Sequence, residues 1–348
     1  ISDDQTKVEN FNYSKFMNLL KSLSISMGRT LVFLSFGLNL LIIASFEIRP
    51  DKLSALNIPP IWVWSAIGII VCLLSMLFIK KTLPLIICGS WILTTCILAE
   101  EFQSLRRGLS PTLGKSKNTS HPNSIRVATI NCNGRNLNIV RESLEFNPDI
   151  ILTQESPSPK ELISLMSEIG NKDYQVIGGW DCAIIAKGTL KKKIYPSILF
   201  NHVAGATLTL TNGTEIELLS LHLERAITRW DLWSIECWKK HKKRNAERRE
   251  QLIYLLAELK KQSSNKPIIF GGDFNASYQS NIYAVIPEKF TNAFDEAGKG
   301  IGNTFTNYFP IIRIDHIYPS NQFSIIDSRS VKTKNSDHRM VICDLLLN

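Results

Sequence analysis

The sequence predicts an α/β domain of sheets packed face to face with helices outside, preceded by an α-helical apolar region. Two observations predict it. Residues 30–99 are mostly apolar and nearly uncharged, while the remainder has ordinary charged composition. Beyond residue 124, short apolar runs outnumber helical stretches, and some alternate while others are apolar throughout. With 348 residues, 44% of them hydrophobic, the chain is neither disordered nor a disulfide-stapled mini-protein. About 220 residues remain after the apolar part, enough for one sizeable core.

Taken in order, residues 1–29 form an N-terminal segment and residues 30–101 an expected three-helix membrane anchor. Its segments are Thr30–Phe46, Ile61–Ile79 and Leu83–Ala99, each without a charge. Each approaches the ~20 residues needed to cross a bilayer core, where only helices satisfy their own backbone. Trp62 and Trp64 open the second segment, as interfacial aromatics do. Flanking cations lean toward Lys15, Lys21, Arg29, Lys80 and Lys81 on one side, against Arg49, Lys52, Arg106 and Arg107 on the other. By the positive-inside rule this places the C-terminal domain outside the cytoplasm. The expectation is an integral protein of a bacterial cell membrane.

Residues 102–124 are polar and aperiodic, an expected tether. From 125 to 348 runs the second domain. Its expected strands are Ile125–Asn131, Ile150–Gln154, Tyr174–Ile177, Ala183–Ala186, Ala204–Leu210, Glu215–Leu221, Pro267–Gly271, Arg313–Tyr318 and Met340–Leu346. Expected helices are Leu137–Phe146, Lys160–Ile169 and a long basic stretch around Ile227–Lys261. The seven cysteines contain no CxxC, which argues against a zinc-thiolate site.

Polar residues gather where these strands end, and strand ends at one rim of a sandwich converge in space. The endings are Asn131-Cys132-Asn133-Gly134, Gln154-Glu155, Leu221-His222, Gly272-Asp273-Phe274-Asn275, Arg313-Ile314-Asp315-His316 and Ser336-Asp337-His338. This inventory suits metal-assisted attack on a phosphoester. Glu155, Asn131 and Asp337 offer the oxygen ligands that Mg²⁺ or Mn²⁺ takes. Asp273 suits the orientation and deprotonation of water, and Asn275, His222 and His338 suit the developing charge on phosphorus. Asp315 suits a carboxylate partner for His338. Asn133 and Arg135 are further candidates for phosphate contact. His316 follows Asp315 on a strand, so its side chain is expected on the opposite face.

These residues resemble the endonuclease/exonuclease/phosphatase superfamily, over about Ile125–Leu347. The motifs are N-x-N-G, Q-E, S-x-H, G-D-F-N, R-I-D-H and S-D-H, in that order. The resemblance implies the DNase I-like four-layer α/β sandwich and Mg²⁺- or Mn²⁺-dependent cleavage of phosphoesters. By position, Asn131 and Glu155 match the metal-site asparagine and glutamate, and Asp273 and Asn275 the water-orienting aspartate and phosphate-contacting asparagine. Asp337 and His338 match the final aspartate and the general acid/base or transition-state histidine, oriented by Asp315. His222 matches the histidine that nuclease- and sphingomyelinase-like branches use near the phosphate. Abasic-site endonucleases usually carry a tyrosine-bearing strand where Leu221-His222-Leu223 stands. The H-L-E run and the stretch Ala246–Leu252 look like the tyrosyl-DNA phosphodiesterase branch, and the whole chain looks most like membrane-anchored bacterial members.

The net charge is +9, and through Glu101 basic and acidic residues nearly balance at 8 and 7. The excess therefore belongs to the second domain, where it points to an anionic partner, nucleic acid or a phospholipid headgroup. Part of it lies in Lys239–Arg249, after Trp230, Trp233 and Trp238. The run reads as a solvated helix face, a lip against the bilayer, or a phosphate-backbone groove, with Leu252, Leu255, Leu256 and Leu259 as its packing stripe. No feature points to a protein partner. The competing class is a membrane-tethered, non-catalytic binding module that retains the fold. The complete polar set argues against it.

Overall fold

The computed structural model describes residues 2–108, 124–171, 173–196, 202–225, 229, 231–263 and 265–348. The chain divides into two compact units, Ile1–Ile48 with Pro59–Phe102, and Arg49–Ile58 with Gln103–Asn348.

The first unit holds α1 (Ser2–Ile48), α2 (Ile61–Ser75) and α3 (Thr82–Leu98). Within α1, Tyr13–Ile48 is long and apolar enough to cross a membrane. The second expected segment, Ile61–Ile79, is α-helical only to Ser75, and α3 is likewise a shorter apolar helix. Buried polar contacts link the three helices. Trp91 Nε1 donates to Ser35 Oγ at 3.0 Å, Ser35 Oγ donates to Gly68 O at 2.9 Å, and Asn39 Nδ2 donates to Thr94 Oγ1 at 3.1 Å. Such bonds hold helices together where the surroundings are apolar.

Two boundaries differ from expectation. Residues Arg49–Ile58, expected inside the apolar region, pack with the second unit, and Asp51–Asn57 is a short 3₁₀ turn there. Where the tether was expected, α4 (Glu100–Arg106) occupies the first residues. Arg107 then donates to Gly298 O and Phe294 O at 2.7 and 3.1 Å. The rest of the expected tether, 109–123, lies outside the described residues.

In the second unit, β1 (Ser124–Asn131) and β2 (Ile150–Gln154) are parallel, joined across α5 (Leu137–Leu144). After α6 (Pro159–Glu168) come β3 (Tyr174–Gly178) and β4 (Cys182–Lys187), which add antiparallel to β2. A capping box starts α6: Ser158 Oγ accepts from Glu161 N, and Glu161 reaches back to Ser158 N. The second sheet follows as β5 (Thr189–Lys193), β6 (Val203–Thr209), β7 (Glu215–His222), β8 (Ile268–Asp273) and β9 (Asp315–Pro319), in that spatial order. Here β7 and β8 are the parallel pair, joined across α7 (Ile235–Ser263). A short helix, α8 (Ala293–Ala297), precedes β9. Finally β10 (Phe323–Val331) and β11 (Met340–Leu347) return to the first sheet, whose order is β10-β11-β1-β2-β4-β3.

Two mixed sheets flanked by helices result, with three apolar clusters between the layers. Val127, Leu152, Ile184, Leu218 and Ile269 fill the space between the sheets. Ile139, Val140, Leu162 and Leu165 pack α5 and α6 on the first sheet. Leu252, Leu255 and Leu259 pack α7 on the second, each worth about 1.5–3 kcal/mol of burial. The expected leucine stripe is therefore the packing face. The basic run above it is not uniformly solvated, because His241, Asn245 and Arg248 are buried on that same face.

Candidate active site

Strand register builds the site. In the second sheet His222 pairs with Asp273, and Asp273 with Asp315, so three candidate residues share one row. In the first sheet Asn131 pairs with Gln154, which places Glu155 one step beyond the same rim. The two rims are tied through buried Gln154, whose Nε2 donates to Ser220 Oγ at 3.1 Å. The parallel pair β7–β8 runs close at Gly272. At its φ of +146° a Cβ would lie 1.9 Å from Leu221 O, so only glycine fits.

Asp273 is the centre. It is 1% exposed, its Oδ1 accepts from Asn275 N at 2.8 Å, and its Oδ2 accepts from Asn131 Nδ2 at 3.2 Å. Two histidines face Asp273 Oδ2 with their Nε2 atoms, His222 at 3.6 Å and His338 at 3.9 Å. Each turns its Nδ1 to a carboxylate of its own. His338 Nδ1 donates to Asp315 Oδ2 at 2.9 Å, and His222 Nδ1 donates to Asp181 Oδ2.

These carboxylates set the charge of the rings. Burial disfavours the His338 imidazolium, but Asp315, Asp273 and Asp337 outweigh it and push it up to about 10. Burial acts likewise on His222, and Asp181, Asp273 and Glu155 raise it above its ordinary value. Both rings therefore favour the cationic form more than a free imidazole does. The last motif is braced by Ser336, whose hydroxyl donates to Asn131 O at 2.8 Å and accepts from His338 N at 3.0 Å.

A cavity of about 510 Å³ opens onto these groups. Asn131, Asn133, Glu155, His222, Asp273, Asn275, Asp337 and His338 all line it. Asp315 stands behind His338 and does not line it. Glu155 Oε2 accepts from Gly134 N at 2.7 Å, and its Oε1 meets Arg225 at 3.2 Å. Asn275 Nδ2 donates to Leu223 O at 3.0 Å, which fixes the amide. Arg135 is not brought into the site. It lies outside the cavity wall, with its guanidinium over the Trp180 ring at 5.7 Å. Its backbone is left-handed, and its N–H donates to Glu155 O, which turns the side chain away. His316 lies away from the cavity, against Tyr283 and Asn292. Glu224 pairs with Arg244 at 2.6 Å on the α7 side. Trp233 is exposed, Trp238 donates to Leu232 O at 2.8 Å, and Trp230 lies outside the described residues.

Sequence reasoning missed Asp181, Arg248 and the 49–58 segment. Asp181 precedes β4, which starts beside Gln154, so its place at the rim follows once β4 is paired with β2. Arg248 is hidden in a charge run. Burial pushes its guanidinium down to about 10.

Oxygen donors dominate the cavity: Asn131, Glu155, Asp273 and Asp337, with no cysteine among the lining residues. This donor set fits a hard divalent cation such as Mg²⁺ or Mn²⁺. Among the described residues, Asp273, Asp315 and His338 bring ligand-type atoms within 4.8 Å of one another. This cluster differs from the expected set of Glu155, Asn131 and Asp337. Asp315 is occupied by His338 and lies behind it, so this cluster reads first as a proton-holding pair facing Asp273.

The fold is shared by solved structures. An endonuclease/exonuclease/phosphatase from Bacteroides vulgatus matches with TM-score 0.50 and 17% identity, over 65% of this chain and 99% of that chain. A family protein from Bacteroides thetaiotaomicron matches with TM-score 0.51 and 17% identity, over 65% and 98%. A mannosyl-6-phosphatase of the same species matches with TM-score 0.49 and 18% identity, over 64% and 100%. No curated protein matches significantly. The Endonuclease/Exonuclease/phosphatase family profile matches residues 128–338, which span every motif from the end of β1 to His338. With that match over more than half of its length, and two helix-flanked sheets that carry the motifs at one rim, the chain belongs to the endonuclease/exonuclease/phosphatase family.

Proposed function

We propose that the chain is a membrane-anchored, divalent-metal-dependent phosphoester hydrolase that cleaves phosphodiesters. One observation carries the reading: two buried imidazoles, each paired with a carboxylate, face Asp273 in a cavity lined with oxygen donors. Glu155, Asn131 and Asp337, with Asp273, would hold Mg²⁺ or Mn²⁺, which supplies Lewis-acid polarisation of the phosphoryl group. The residues do the rest. Asp273 orients a water and takes its proton as the oxygen attacks phosphorus. His338 and His222 present N–H groups to the phosphoryl oxygens, where positive charge lowers the barrier. The P–O bond to the leaving group breaks, and the leaving oxygen takes a proton from an imidazolium. Asp315 and Asp181 keep Nδ1 protonated so that Nε2 faces the cavity. Asn275, held by Leu223 O, directs its remaining amide hydrogen to the phosphate, and Asn133 lies at the same mouth.

The apolar helices support the anchor, with α1 as its principal span, and the excess of flanking cations on the N-terminal side supports a catalytic unit outside the cytoplasm. The basic excess supports an anionic substrate, nucleic acid or phospholipid headgroup. The deciding experiment is Mg²⁺-dependent turnover of bis(p-nitrophenyl) phosphate by the full chain in detergent, with His338→Ala as control. Equal rates in both proteins would sink the reading. Alkaline extraction of membranes tests the anchor, and a reporter fused after Asn348 tests the side.

A further inference from the structure

The Asp51–Asn57 turn is clamped to the catalytic unit by one carboxylate. Asp51 Oδ1 accepts from Asn281 Nδ2 at 2.7 Å, Asn245 Nδ2 at 2.9 Å and Arg249 Nη1 at 3.0 Å. Its Oδ2 meets Arg249 Nη2 at 2.9 Å. Clamped so, the turn becomes a wall of the cavity, through Ser54, Asn57 and Ile58.

Facing the same space from α7 is Arg248, which is 7% exposed. Its neighbours in the charge run have carboxylate partners: Arg244 has Glu224 and Glu247, and Arg249 has Asp51. Arg248 has none among the described residues, and its Nε and Nη1 are buried without a hydrogen-bond acceptor. Ser54 Oγ, on the clamped turn, is also buried without a partner. A buried cation without a hydrogen-bonded counter-charge is costly, and the cost is removed by an anion that enters the cavity.

The phosphoryl group under attack already has His222, His338 and Asn275 as donors. Arg248 and Ser54 come from different elements, α7 and the 49–58 turn. A cavity of about 510 Å³ has room for a ligand of several groups. We propose that Arg248 and Ser54 form a receptor for a second phosphate of the substrate, beside the one that is cleaved. This rests on the hydrolase reading and narrows it to phosphoesters that carry another phosphate.

The test is calorimetric binding of pyrophosphate and of orthophosphate to the full chain in detergent, without metal, so that no turnover is needed. Wild type should bind pyrophosphate more tightly than orthophosphate. Arg248→Gln should weaken pyrophosphate by ~10–100-fold, the worth of a charge-assisted hydrogen bond, and leave orthophosphate little changed. Arg248→Lys should retain part of the affinity. Ser54→Ala should weaken pyrophosphate by ~2–10-fold, and decides the matter if the Arg248 variants do not fold. Equal loss of both anions would assign Arg248 to the cleaved group and overturn the proposal, as would no change in either. Adenosine 3′,5′-bisphosphate and glycerophosphoinositol 4-phosphate then compete as nucleotide and lipid-headgroup sources. Competition by either supports a second-phosphate receptor, and failure of both overturns it. Selective pyrophosphate binding without any hydrolysis would refute the hydrolase reading alone. Hydrolysis with unselective binding would refute this one alone.

Discussion

His338 and Asp315 form a buried pair, Nδ1 to Oδ2 at 2.9 Å, in which only the histidine reaches the cavity. In the proposed reaction Asp315 acts through its neighbour, as a positioning residue. We predict that Asp315→Asn lowers kcat with little change in KM. Against bis(p-nitrophenyl) phosphate, His338→Ala should cost on the order of 10²–10⁴-fold. Asp315→Asn should show a smaller loss and a shifted pH profile. An unchanged profile would show that the pair does not set the charge of the ring.

Removal of metal should abolish turnover in the full chain. EDTA should stop hydrolysis, and Mg²⁺ or Mn²⁺ should restore it. Glu155→Gln should raise the half-saturating metal concentration by about tenfold or more, because one charged ligand is lost. Identical metal titrations for the two proteins would remove Glu155 from the ligand set.

Stability rests partly on one ion pair that crosses the first sheet. Arg126 Nε lies 2.7 Å from Asp344 Oδ1, Nη2 lies 2.9 Å from Oδ2, and Nη1 donates to Phe146 O at 2.9 Å. Arg126 is 1% exposed. Asp344→Ala would leave a buried guanidinium without its counter-charge, at a cost of about 3–5 kcal/mol. Denaturant unfolding measures this, and a loss under about 1 kcal/mol would contradict it.

A buried neutral histidine makes stability depend on pH. Asn292 Oδ1 accepts from Phe294 N and Arg313, so its Nδ2 must point at His316 Nδ1, which accepts. His316 Nε2 then donates to Tyr283 Oη, whose own proton goes to Ala276 O. A proton on Nδ1 has nowhere to go. Burial, with Arg313 nearby, holds the ring well below 6.5. The unfolded chain binds that proton first as pH falls. The stabilisation is therefore full above about 6.5 and is lost below it, by up to ~1.4 kcal/mol per pH unit. The urea midpoint of wild type should fall between pH 7 and pH 5.5 more steeply than that of His316→Gln. Parallel slopes would contradict the assignment.

The rim residues were legible because this site is assembled from strand ends. Each polar pair, such as Asp273 and Asn275, follows an apolar run that announces its strand. Position did the rest, since register alone aligns His222, Asp273 and Asp315. Of the four edge strands, β3 and β9 were legible and β5 and β10 were not. Thr189–Lys193 is a lysine-rich edge with Lys191 and Lys192 exposed, and Phe323–Val331 mixes polar residues with a bulge at Ile325/Asp327. Neither shows apolar periodicity. Asp181 was hidden because its partner His222 lies 41 residues on. Arg248 was hidden because charge patterning cannot tell a buried arginine from its solvated neighbours.

The clamped turn also constrains how the chain is threaded. Residues 49–58 and residues 103–348 belong to one unit, so in the anchored reading both lie on one side of the bilayer. In the anchored reading, α1 ends just before that turn, and α2 with α3 fills the interval up to residue 98. The path from Ile58 to Gln103 must then traverse the bilayer an even number of times. A hairpin of α2 and α3 satisfies this parity, and either helix alone violates it. A fragment that starts at residue 103 would leave behind the 49–58 turn, and with it one wall of the cavity of its own unit.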